Sequence, residues 1–475
     1  MKASEKFIGS TNILQCPLAD RSETGRIAYC FMHACIRKVR WLSMKDRVPS
    51  GRGEFKPMEI PPATFEVGSS LRKLGGGGHL YIRRIFSIMS ETTYIRDLKG
   101  SPSLEVVNLV LQKVSKGEKI TSLAIGEPVY KTPQKIMEVA FESMKNGDTH
   151  YTSSYGIREV REAIVEKVNK KNKIKAGLEN SIFIMSKQSI YASLMAIAGS
   201  RSKVLIPDPG YFYTEPILLA GMKPIRYTSS EDLSFNLDNI LSLLDNDTAA
   251  VMINSPGNPT GRVIDKKNLE RLYSACKSKG IRIISDEAYE DIVYNVEHFS
   301  IGSLEPVPDL VISIFSLSKS YSMTGWRAGY TIANEETVSN IARVIEQSTT
   351  CSPPFIQKAS AFALKNGDEY IREFRADFNK KKEHVEKRLN EISQLKTYPI
   401  EGAFYAFPSY KVKIKSTELA KALLNEYQVA VLPGIAFGGA GEGHFRISFA
   451  GSFETIDLGI DALGRFLDSR AKSSS

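Results

Sequence analysis

One stretch of the sequence organises the rest, Ser316-Leu317-Ser318-Lys319-Ser320-Tyr321-Ser322-Met323-Thr324-Gly325-Trp326-Arg327-Ala328-Gly329-Tyr330. It follows the apolar, β-branched run at residues 310–315, a pattern typical of a buried parallel strand. Desolvation can lower the pKa of a lysine that lies just beyond a buried strand, and a deprotonated amine can form a Schiff base. Arg327 offers a fork of donors suited to a phosphate. The stretch predicts either a site for an aldehyde-phosphate cofactor or a basic loop on the rim of an α/β sheet.

Strands alternate with helices through the middle of the chain. Strands are predicted at residues 182–185, 203–206, 224–227, 249–253, 281–285 and 310–315, and helices at 188–198, 214–220, 265–279 and 335–346. This alternation predicts the α/β class, with a mostly parallel sheet flanked by helices. We expect these elements to form a large cofactor-binding domain at residues 142–380.

The two ends of the body have a different pattern, typical of a smaller α+β unit. A charged helix over residues 369–392 precedes strands at 402–407, 429–432 and 445–449 and helices at 416–427 and 453–467. On the N-terminal side, a helix at 103–116, a strand at 120–125 and a helix at 133–144 are predicted. We therefore expect residues 91–141 and 381–475 to form a small domain together.

Polar residues directly follow three of the predicted strands. Asn258 lies in the segment after the strand at 249–253, Asp286 and Tyr289 follow the strand at 281–285, and Lys319 follows the strand at 310–315. Taken singly, these residues are explained by turn chemistry, a helix cap or a core aromatic. Ligands of parallel sheets bind outside the carboxyl ends of the strands. Three such clusters at three strand ends therefore favour one shared site.

These motifs resemble the fold-type-I pyridoxal-phosphate aminotransferases, specifically the class I/II, aspartate aminotransferase-like group. The resemblance covers about residues 101–467 and is carried by Ser316-x-Ser318-Lys319, Gly325-Trp326-Arg327-Ala328-Gly329 and Asn258-Pro259-Thr260-Gly261. It implies an enzyme, with pyridoxal 5'-phosphate as cofactor, that moves an amino group between an L-amino acid and a 2-oxo acid. The same scaffold supports carbon–sulfur lyases and related eliminating enzymes. An aminotransferase-like transcription regulator is a further alternative.

The resemblance implies roles for the residues that would face the reaction. Lys319 is similar to the catalytic lysine that holds the cofactor and moves the α-proton. Asp286 is similar to the carboxylate that keeps the pyridine nitrogen protonated, which makes the ring an electron sink. Arg446 resembles the arginine that binds the substrate carboxylate, with Gly126 and Asn258 beside it. A salt bridge at the edge of the core is the other interpretation of Arg446.

The remaining cofactor contacts are also implied by the resemblance. They are Tyr211 against the ring, Asn258 and Tyr289 at its phenolate oxygen, and Ser316, Arg327, Ser186 and Lys187 at the phosphate. Tyr151 is similar to the tyrosine that reaches the phosphate of a partner subunit, which implies a homodimer. No metal site is expected.

Two places depart from the pattern of the family. Met185-Ser186-Lys187-Gln188 stands where glycine-containing sequence commonly meets the phosphate. A helix N-terminus can still bind phosphate there, but the close approach of glycine is lost. Gly126-Glu127-Pro128 continues as Val129-Tyr130, where Asp-Phe is frequent, close to the substrate. The side-chain preference of the substrate pocket therefore stays open.

The first ninety residues differ from the rest in charge and periodicity. They contain fifteen Lys or Arg and seven Asp or Glu, so most of the net charge of +10 lies there. We expect residues 1–90 to be an extension outside the folded enzyme, with Met89 a possible true start. A transit peptide and a basic DNA-binding arm are the alternatives, and the segment lacks a helix-turn-helix pattern.

The composition of the body indicates an ordinary enzyme of the cytoplasm. Only Cys276 and Cys351 lie outside the first ninety residues, and two scattered cysteines suggest reduced thiols. No run of about eighteen apolar residues is present, so no transmembrane helix is expected. The expected partners are the amino-acid and 2-oxo-acid substrates and a second copy of the chain, with no nucleic acid and no membrane.

Overall fold

The structure is a computed structural model that describes residues 98, 100, 102–305 and 309–473. The predicted extension at 1–90, including the possible start at Met89 and the possible DNA-binding arm, lies outside the described residues. All described residues belong to one compact unit. Among its helices, none is both long enough and apolar enough to cross a membrane.

The chain forms fourteen strands in the described part, and most of the long ones lie in its first two thirds. In order they are β1 (Thr121–Ser122), β2 (Ser181–Phe183), β3 (Lys203–Asp208), β4 (Lys223–Thr228), β5 (Thr248–Asn254), β6 (Arg282–Asp286), β7 (Val311–Ser316), β8 (Gly329–Ile332), β9 (Leu395–Lys396), β10 (Tyr405–Ala406), β11 (Ser409–Tyr410), β12 (Val429–Ala430), β13 (Leu432–Pro433) and β14 (Phe445–Ser448).

The α-helices of the described part fall between and after these strands. They are α1 (Pro102–Ser115), α2 (Gln134–Lys145), α3 (Arg158–Lys167), α4 (Ser186–Ile197), α5 (Thr214–Leu219), α6 (Leu237–Leu243), α7 (Lys266–Lys279), α8 (Leu317–Ser320), α9 (Glu335–Ser348), α10 (Pro354–Asn366), α11 (Asp368–Asn390), α12 (Ser416–Tyr427) and α13 (Phe453–Ser473). A π-helical turn, Val168–Asn172, continues α3.

A seven-stranded sheet carries the middle of the chain, in the order β2-β8-β7-β6-β5-β3-β4. The pairs from β4 to β7 are parallel, as the alternation of strands and helices predicted. Only β8 runs against its neighbours β7 and β2. Buried apolar residues on each face of the sheet pack against the flanking helices, which explains the nearly continuous apolar runs of these strands.

Strand β8 was not among the predicted strands. Its four residues, Gly329 to Ile332, begin inside the lysine stretch, at its last two residues, where no strand was predicted. Phe315 in β7 pairs with Tyr330 in β8, and their rings stack with centroids 4.9 Å apart. Lys319 therefore lies in the connection between two paired antiparallel strands.

The C-terminal strands are shorter than the sequence predicted. Of residues 402–407 only β10 is extended, because the chain bends at Ala403, whose φ is 56°. The expected strand at 429–432 divides in two: β12 pairs in parallel with β1, and β13 pairs antiparallel with β14. The chain therefore changes partner at Val431, and β1 is drawn from the N-terminal side into the C-terminal part.

Candidate active site

The carboxyl ends of three adjacent strands meet at one edge of the sheet. The register pairs Asn254 with Asp286 and Asp286 with Ile314, so β5, β6 and β7 end together. The amide nitrogen Nδ2 of Asn254 donates to the backbone carbonyl of Asp286 over 2.9 Å. Its oxygen Oδ1 accepts the backbone N–H of Asn258 over 2.8 Å. Asn254 therefore ties the loop that carries Asn258 to the loop that carries Asp286.

Lys319 lies one turn beyond β7. Ser316 caps the short helix α8, because its Oγ accepts the backbone N–H of Ser318 over 3.2 Å. The amine of Lys319 then donates to the carbonyl of Gly126 over 2.6 Å. The pKa of Lys319 is lowered to about 8, mainly by burial; Glu127 opposes this shift and Arg446 adds to it. This amine is thus far more readily deprotonated near neutral pH than a surface lysine.

Asp286 is 6% exposed at the end of β6. The Tyr213 hydroxyl donates to its Oδ2 over 2.8 Å, and the Ala288 backbone N–H donates to Oδ1 over 3.2 Å. Burial raises the pKa of Asp286 to about 6, while the bond from Tyr213 opposes that rise. A buried carboxylate held in this way fits a cationic ring nitrogen as its partner.

A chain of hydrogen bonds links Asn258 to the C-terminal part. Asn258 Nδ2 lies 3.3 Å from the Tyr289 hydroxyl, which lies 2.8 Å from the Tyr405 hydroxyl. Asn258 Oδ1 accepts from Arg446 Nη1 over 3.0 Å. A Cβ at Gly126 would lie 2.3 Å from the Tyr405 hydroxyl, so only glycine allows this backbone approach. Asn258, Tyr289, Arg446 and Gly126, all singled out from the sequence, are therefore in one place.

Arg446 is 3% exposed, and its guanidinium donates hydrogen bonds to a side-chain amide oxygen and a backbone carbonyl. Its Nη2 donates to the carbonyl of Ala124 over 2.6 Å, and its carbon lies 4.3 Å from the Tyr405 ring centroid. Within the described residues, its buried Nε has no hydrogen-bond partner. A buried cation with an unused donor fits a carboxylate ligand, which would supply the missing acceptor and charge.

Three of the residues expected at a phosphate, Ser186, Lys187 and Ser316, lie at or beside the start of helix α4. The Oγ of Ser186 donates to the Oγ of Ser316 over 3.3 Å, which brings α4 beside the lysine stretch. Lys187 follows in the first turn with an exposed side chain. Arg327 is exposed and has a left-handed φ of 57°. Free N–H groups at the start of a 12-residue helix, with Lys187 in its first turn, fit a phosphate.

The two remaining predicted residues differ in their surroundings. The ring of Tyr211 packs edge-on to Tyr213 with centroids 5.4 Å apart, and burial raises its pKa to about 12. The structure brings Tyr211 into the electrostatic environment of Asp286 and Arg446. By contrast, Tyr151 is 87% exposed on the surface.

Sequence reasoning missed two residues of this cluster, Tyr213 and Tyr405. Tyr213 lies two positions after the predicted Tyr211, in an aromatic run that already pointed to a lining segment. Tyr405 lies inside a predicted strand, where a buried aromatic is ordinary. Its contacts with Gly126, Tyr289 and Arg446 distinguish it from a core residue.

A second polar cluster lies just beyond Asp286. Glu287, Glu290 and His298 bring possible metal-ligating atoms within 4.8 Å of one another. The amine of Lys167 hydrogen-bonds to Glu290, and His298 Nε2 lies 3.0 Å from Glu287. Lys167 pairs with the buried Glu290. Burial lowers the pKa of His298, but its hydrogen bond to Glu287 outweighs this and raises the pKa. The cluster is therefore explained as a buried ion-pair and hydrogen-bond network.

A family model described as "Aminotransferase class I and II" matches residues 118–463. Curated relatives include an aspartate aminotransferase of Pyrococcus abyssi, 38% identical over 357 residues, which span 73% of this chain and 92% of the relative. An aromatic-amino-acid aminotransferase of Thermococcus litoralis is also 38% identical, over 74% of this chain and 92% of the relative.

The fold matches solved structures over the same part of the chain. An aspartate aminotransferase from Thermus thermophilus with maleate has a TM-score of 0.75 and 30% identity. The match covers 78% of this chain and 98% of that structure. An aromatic aminotransferase from Pyrococcus horikoshii has a TM-score of 0.72 and 35% identity, over 76% of this chain and 99% of that structure.

Proposed function

We propose residue roles on the premise that this chain belongs to the class I and II aminotransferases, whose model matches residues 118–463. The chain is a pyridoxal-phosphate-dependent enzyme of the fold-type-I group that transfers an amino group between an amino acid and a 2-oxo acid. The observation that carries our assignment is the buried Lys319 amine, with its lowered pKa, at the strand end beside Asp286.

The residues at the strand ends fit pyridoxal phosphate. Asp286 offers a buried negative charge, and Asn258 and Tyr289 offer donors for an oxygen on the ring. Tyr211 offers an aromatic face. When bound, the cofactor supplies an aldehyde carbon and a protonated ring that accepts electrons. Asp286 would favour a protonated ring nitrogen, because a buried carboxylate stabilises a cation beside it.

Lys319 is proposed as the residue that holds the cofactor and moves the proton. Its Nζ accepts the α-proton of the substrate and later delivers a proton, and both steps need a pKa near the working pH. Burial already brings the pKa of Lys319 to about 8. The carbonyl of Gly126, 2.6 Å from Nζ, holds the amine in place between the two transfers.

Arg446 is proposed to bind the α-carboxylate of the substrate. Its Nε, which has no partner among the described residues, and its bond to Asn258 leave a planar cation ready for two parallel hydrogen bonds. The close backbone approach at Gly126 leaves room for the carboxylate beside it. Binding at Arg446 orients the α-carbon toward Lys319, so the reactants are already positioned for proton transfer.

The phosphate group of the cofactor is proposed to bind at the N-terminus of α4. Ser186 and Ser316 supply hydroxyl donors there, and Lys187 and Arg327 supply positive charge. The helix N-terminus compensates for the glycine that the sequence lacks at this point.

A homodimer is also proposed, with Tyr151 reaching the phosphate of the partner subunit. Tyr151 is 87% exposed in the single chain, an unusual environment for a large aromatic. Met137, Phe141 and Met144 form an exposed apolar stripe at helical spacing on α2. Such a stripe indicates a protein–protein contact, so it supports association of two copies near Tyr151.

We also propose a division into two domains and a cytoplasmic location for the protein. One hydrophobic cluster joins Leu123 to Phe404, Phe445 and Leu463, and it also reaches Tyr289 and Phe378. It supports a small domain that is built from both ends of the body and packs on the large one. We propose residues 142–380, which carry the seven-stranded sheet, as the large domain. Cys276 and Cys351 of the described part are free thiols, which supports a reducing compartment such as the cytoplasm.

Replacing Lys319 by alanine tests the assignment. Turnover should fall by at least about a thousandfold, because the variant loses the group that transfers the proton, while the cofactor still binds. Single-turnover absorbance of the bound cofactor, with aspartate, glutamate, alanine and aromatic amino acids, ranks the substrates in the unsubstituted enzyme. Full turnover by the alanine variant is incompatible with the proposed role.

A further inference from the structure

One stretch of backbone contacts both cations of the active site. We call residues 124–132 the bridging segment. The carbonyl of Ala124 accepts from Arg446 Nη2, and the carbonyl of Gly126 accepts from Lys319 Nζ, both over 2.6 Å. The amine and the guanidinium therefore take their positions from the same short segment, and a shift of that segment moves both.

The far end of the bridging segment is bonded to the lysine stretch. Thr132 Oγ1 donates to the carbonyl of Ser322 over 2.6 Å, and Trp326 Nε1 donates to Thr132 Oγ1 over 3.0 Å. The hydroxyl of Ser322 donates to the carbonyl of Tyr130. Both ends of the segment are thus connected to the stretch that contains Lys319, so displacement at Tyr130 is transmitted to the site.

The side chain of Tyr130 contacts helix α11, whereas its backbone is bonded to the lysine stretch. Its hydroxyl donates to the carboxylate of Asp377 and accepts from Lys381 Nζ over 3.1 Å. Lys381 also pairs with Asp377 over 2.7 Å, although its own side chain is only 4% exposed. The ring stacks on Phe374, with centroids 4.4 Å apart and planes 6° from parallel. The contact of Tyr130 with α11, which we call the Tyr130 anchor, therefore combines aromatic stacking with charge-assisted hydrogen bonds.

The hydroxyl of Tyr130 distinguishes the Tyr130 anchor from a purely aromatic contact. Tyr130 stands in Val129-Tyr130, where the resemblance leads one to expect Asp-Phe, so the phenylalanine ring would stack equally well without the bonds. Burial raises the pKa of Tyr130, so the hydroxyl stays protonated and continues to donate. Burial alone would raise the pKa of Asp377, but the bonds from Lys381 and Tyr130 outweigh it and lower that pKa.

We propose that Tyr130, held by Asp377 and Lys381, is a positioning residue that fixes the carbonyl of Gly126 against the amine of Lys319. This inference rests on the proposed role of Lys319 in proton transfer. Tyr130 acts through the backbone of the bridging segment. Its hydroxyl improves the placement of Lys319 for the proton transfer and contributes little to the binding of substrate.

The test compares the holoenzyme with its Tyr130→Phe variant. Hydrogen exchange of the amides in peptides covering residues 123–132 and 319–327 should quicken about fivefold, because charge-assisted bonds are lost. The value of kcat should fall about fivefold to tenfold with KM changed less than about twofold. Tyr410→Phe is the matched control, since its hydroxyl donates to the carbonyl of Ile414 over 2.8 Å. The Tyr410→Phe variant should change neither the exchange rates of these peptides nor kcat.

Lys381→Met is a second variant that keeps an apolar stem in the buried position and removes the charge. It should change exchange and kcat in the same direction by a smaller factor. The proposal is overturned if exchange in both segments stays at the level of the unsubstituted enzyme, or if exchange quickens while kcat does not change. The exchange result does not depend on the role of Lys319, so it is distinguishable from failure of the Lys319→Ala test.

Discussion

The hydroxyl of Tyr213 donates a 2.8 Å hydrogen bond to Oδ2 of Asp286. Both residues are buried, and burial raises the pKa of Asp286 to about 6 even though this bond favours the ionised form. Tyr213 therefore supports the negative charge on which the proposed cofactor site depends.

Tyr213→Phe should raise the pKa of Asp286 further. Below its pKa the carboxyl is protonated and cannot pair with a cationic ring nitrogen, so cofactor binding weakens as pH falls. In the variant this weakening begins at a higher pH, and the affinity at pH 7 drops about tenfold, as expected for a lost bond to a charged group. Equilibrium titration of the cofactor-free chain with pyridoxal phosphate between pH 5 and 8 measures both effects.

Tyr227→Phe is the matched control for that titration. Its hydroxyl is also buried and donates to a backbone carbonyl, that of Met252, over 2.9 Å. This variant should bind the cofactor with the pH dependence of the unsubstituted chain. An identical pH dependence in Tyr213→Phe would show that the hydroxyl does not influence Asp286.

Arg446→Lys should weaken substrate binding while keeping the charge. A lysine ammonium lacks the planar fork that pairs with two carboxylate oxygens, so KM for the amino acid should rise about tenfold to a hundredfold. Steady-state kinetics measure this change. Arg388→Lys, at an arginine paired with Asp457 and Asp461, is the control and should leave KM unchanged. A normal KM in Arg446→Lys excludes its proposed contact with the substrate.

Lys319→Met should stabilise the cofactor-free chain at pH 7. The pKa of Lys319 is lowered from 10.5 to about 8 by burial, so the unfolded chain binds the proton more tightly. The folded state is therefore penalised fully below about pH 8, and its stability recovers as pH rises to about 10.5. The penalty is about 3 kcal/mol, and the lost bond to Gly126 offsets about 1 kcal/mol of the gain.

Urea unfolding of the two cofactor-free chains at pH 7 and pH 10 measures the difference. The free energy of unfolding of the Lys319→Met variant should be higher than that of the unsubstituted chain by about 2 kcal/mol at pH 7. This difference should shrink at pH 10. A methionine variant that is less stable at pH 7 would mean that burial of the charged amine does not destabilise the fold. Lys279→Met, at the surface end of α7, controls for the loss of a lysine as such.

Local sequence patterns predicted the central sheet and the residues at its strand ends. Apolar runs of β-branched residues identified β5, β6 and β7, and parallel register then requires their ends to lie together. The expectation that Asn258, Asp286 and Lys319 share one edge of the sheet needs no tertiary information. The short strand β8 escaped the same reasoning, because its four residues follow a polar stretch and offer little periodicity.

By itself, the sequence determined the family, the α/β class and the order of the motifs, because these depend on residue types at short spacings. Only the tertiary structure decided which tyrosine donates a hydrogen bond to Asp286. It also decided that the carbonyl of Ala124 accepts from Arg446 and the carbonyl of Gly126 from Lys319. Contacts between residues far apart in the chain depend on how separate elements pack, and no local period records that packing. Side-chain direction within an irregular segment such as the one around Tyr213 is likewise set by its neighbours in space.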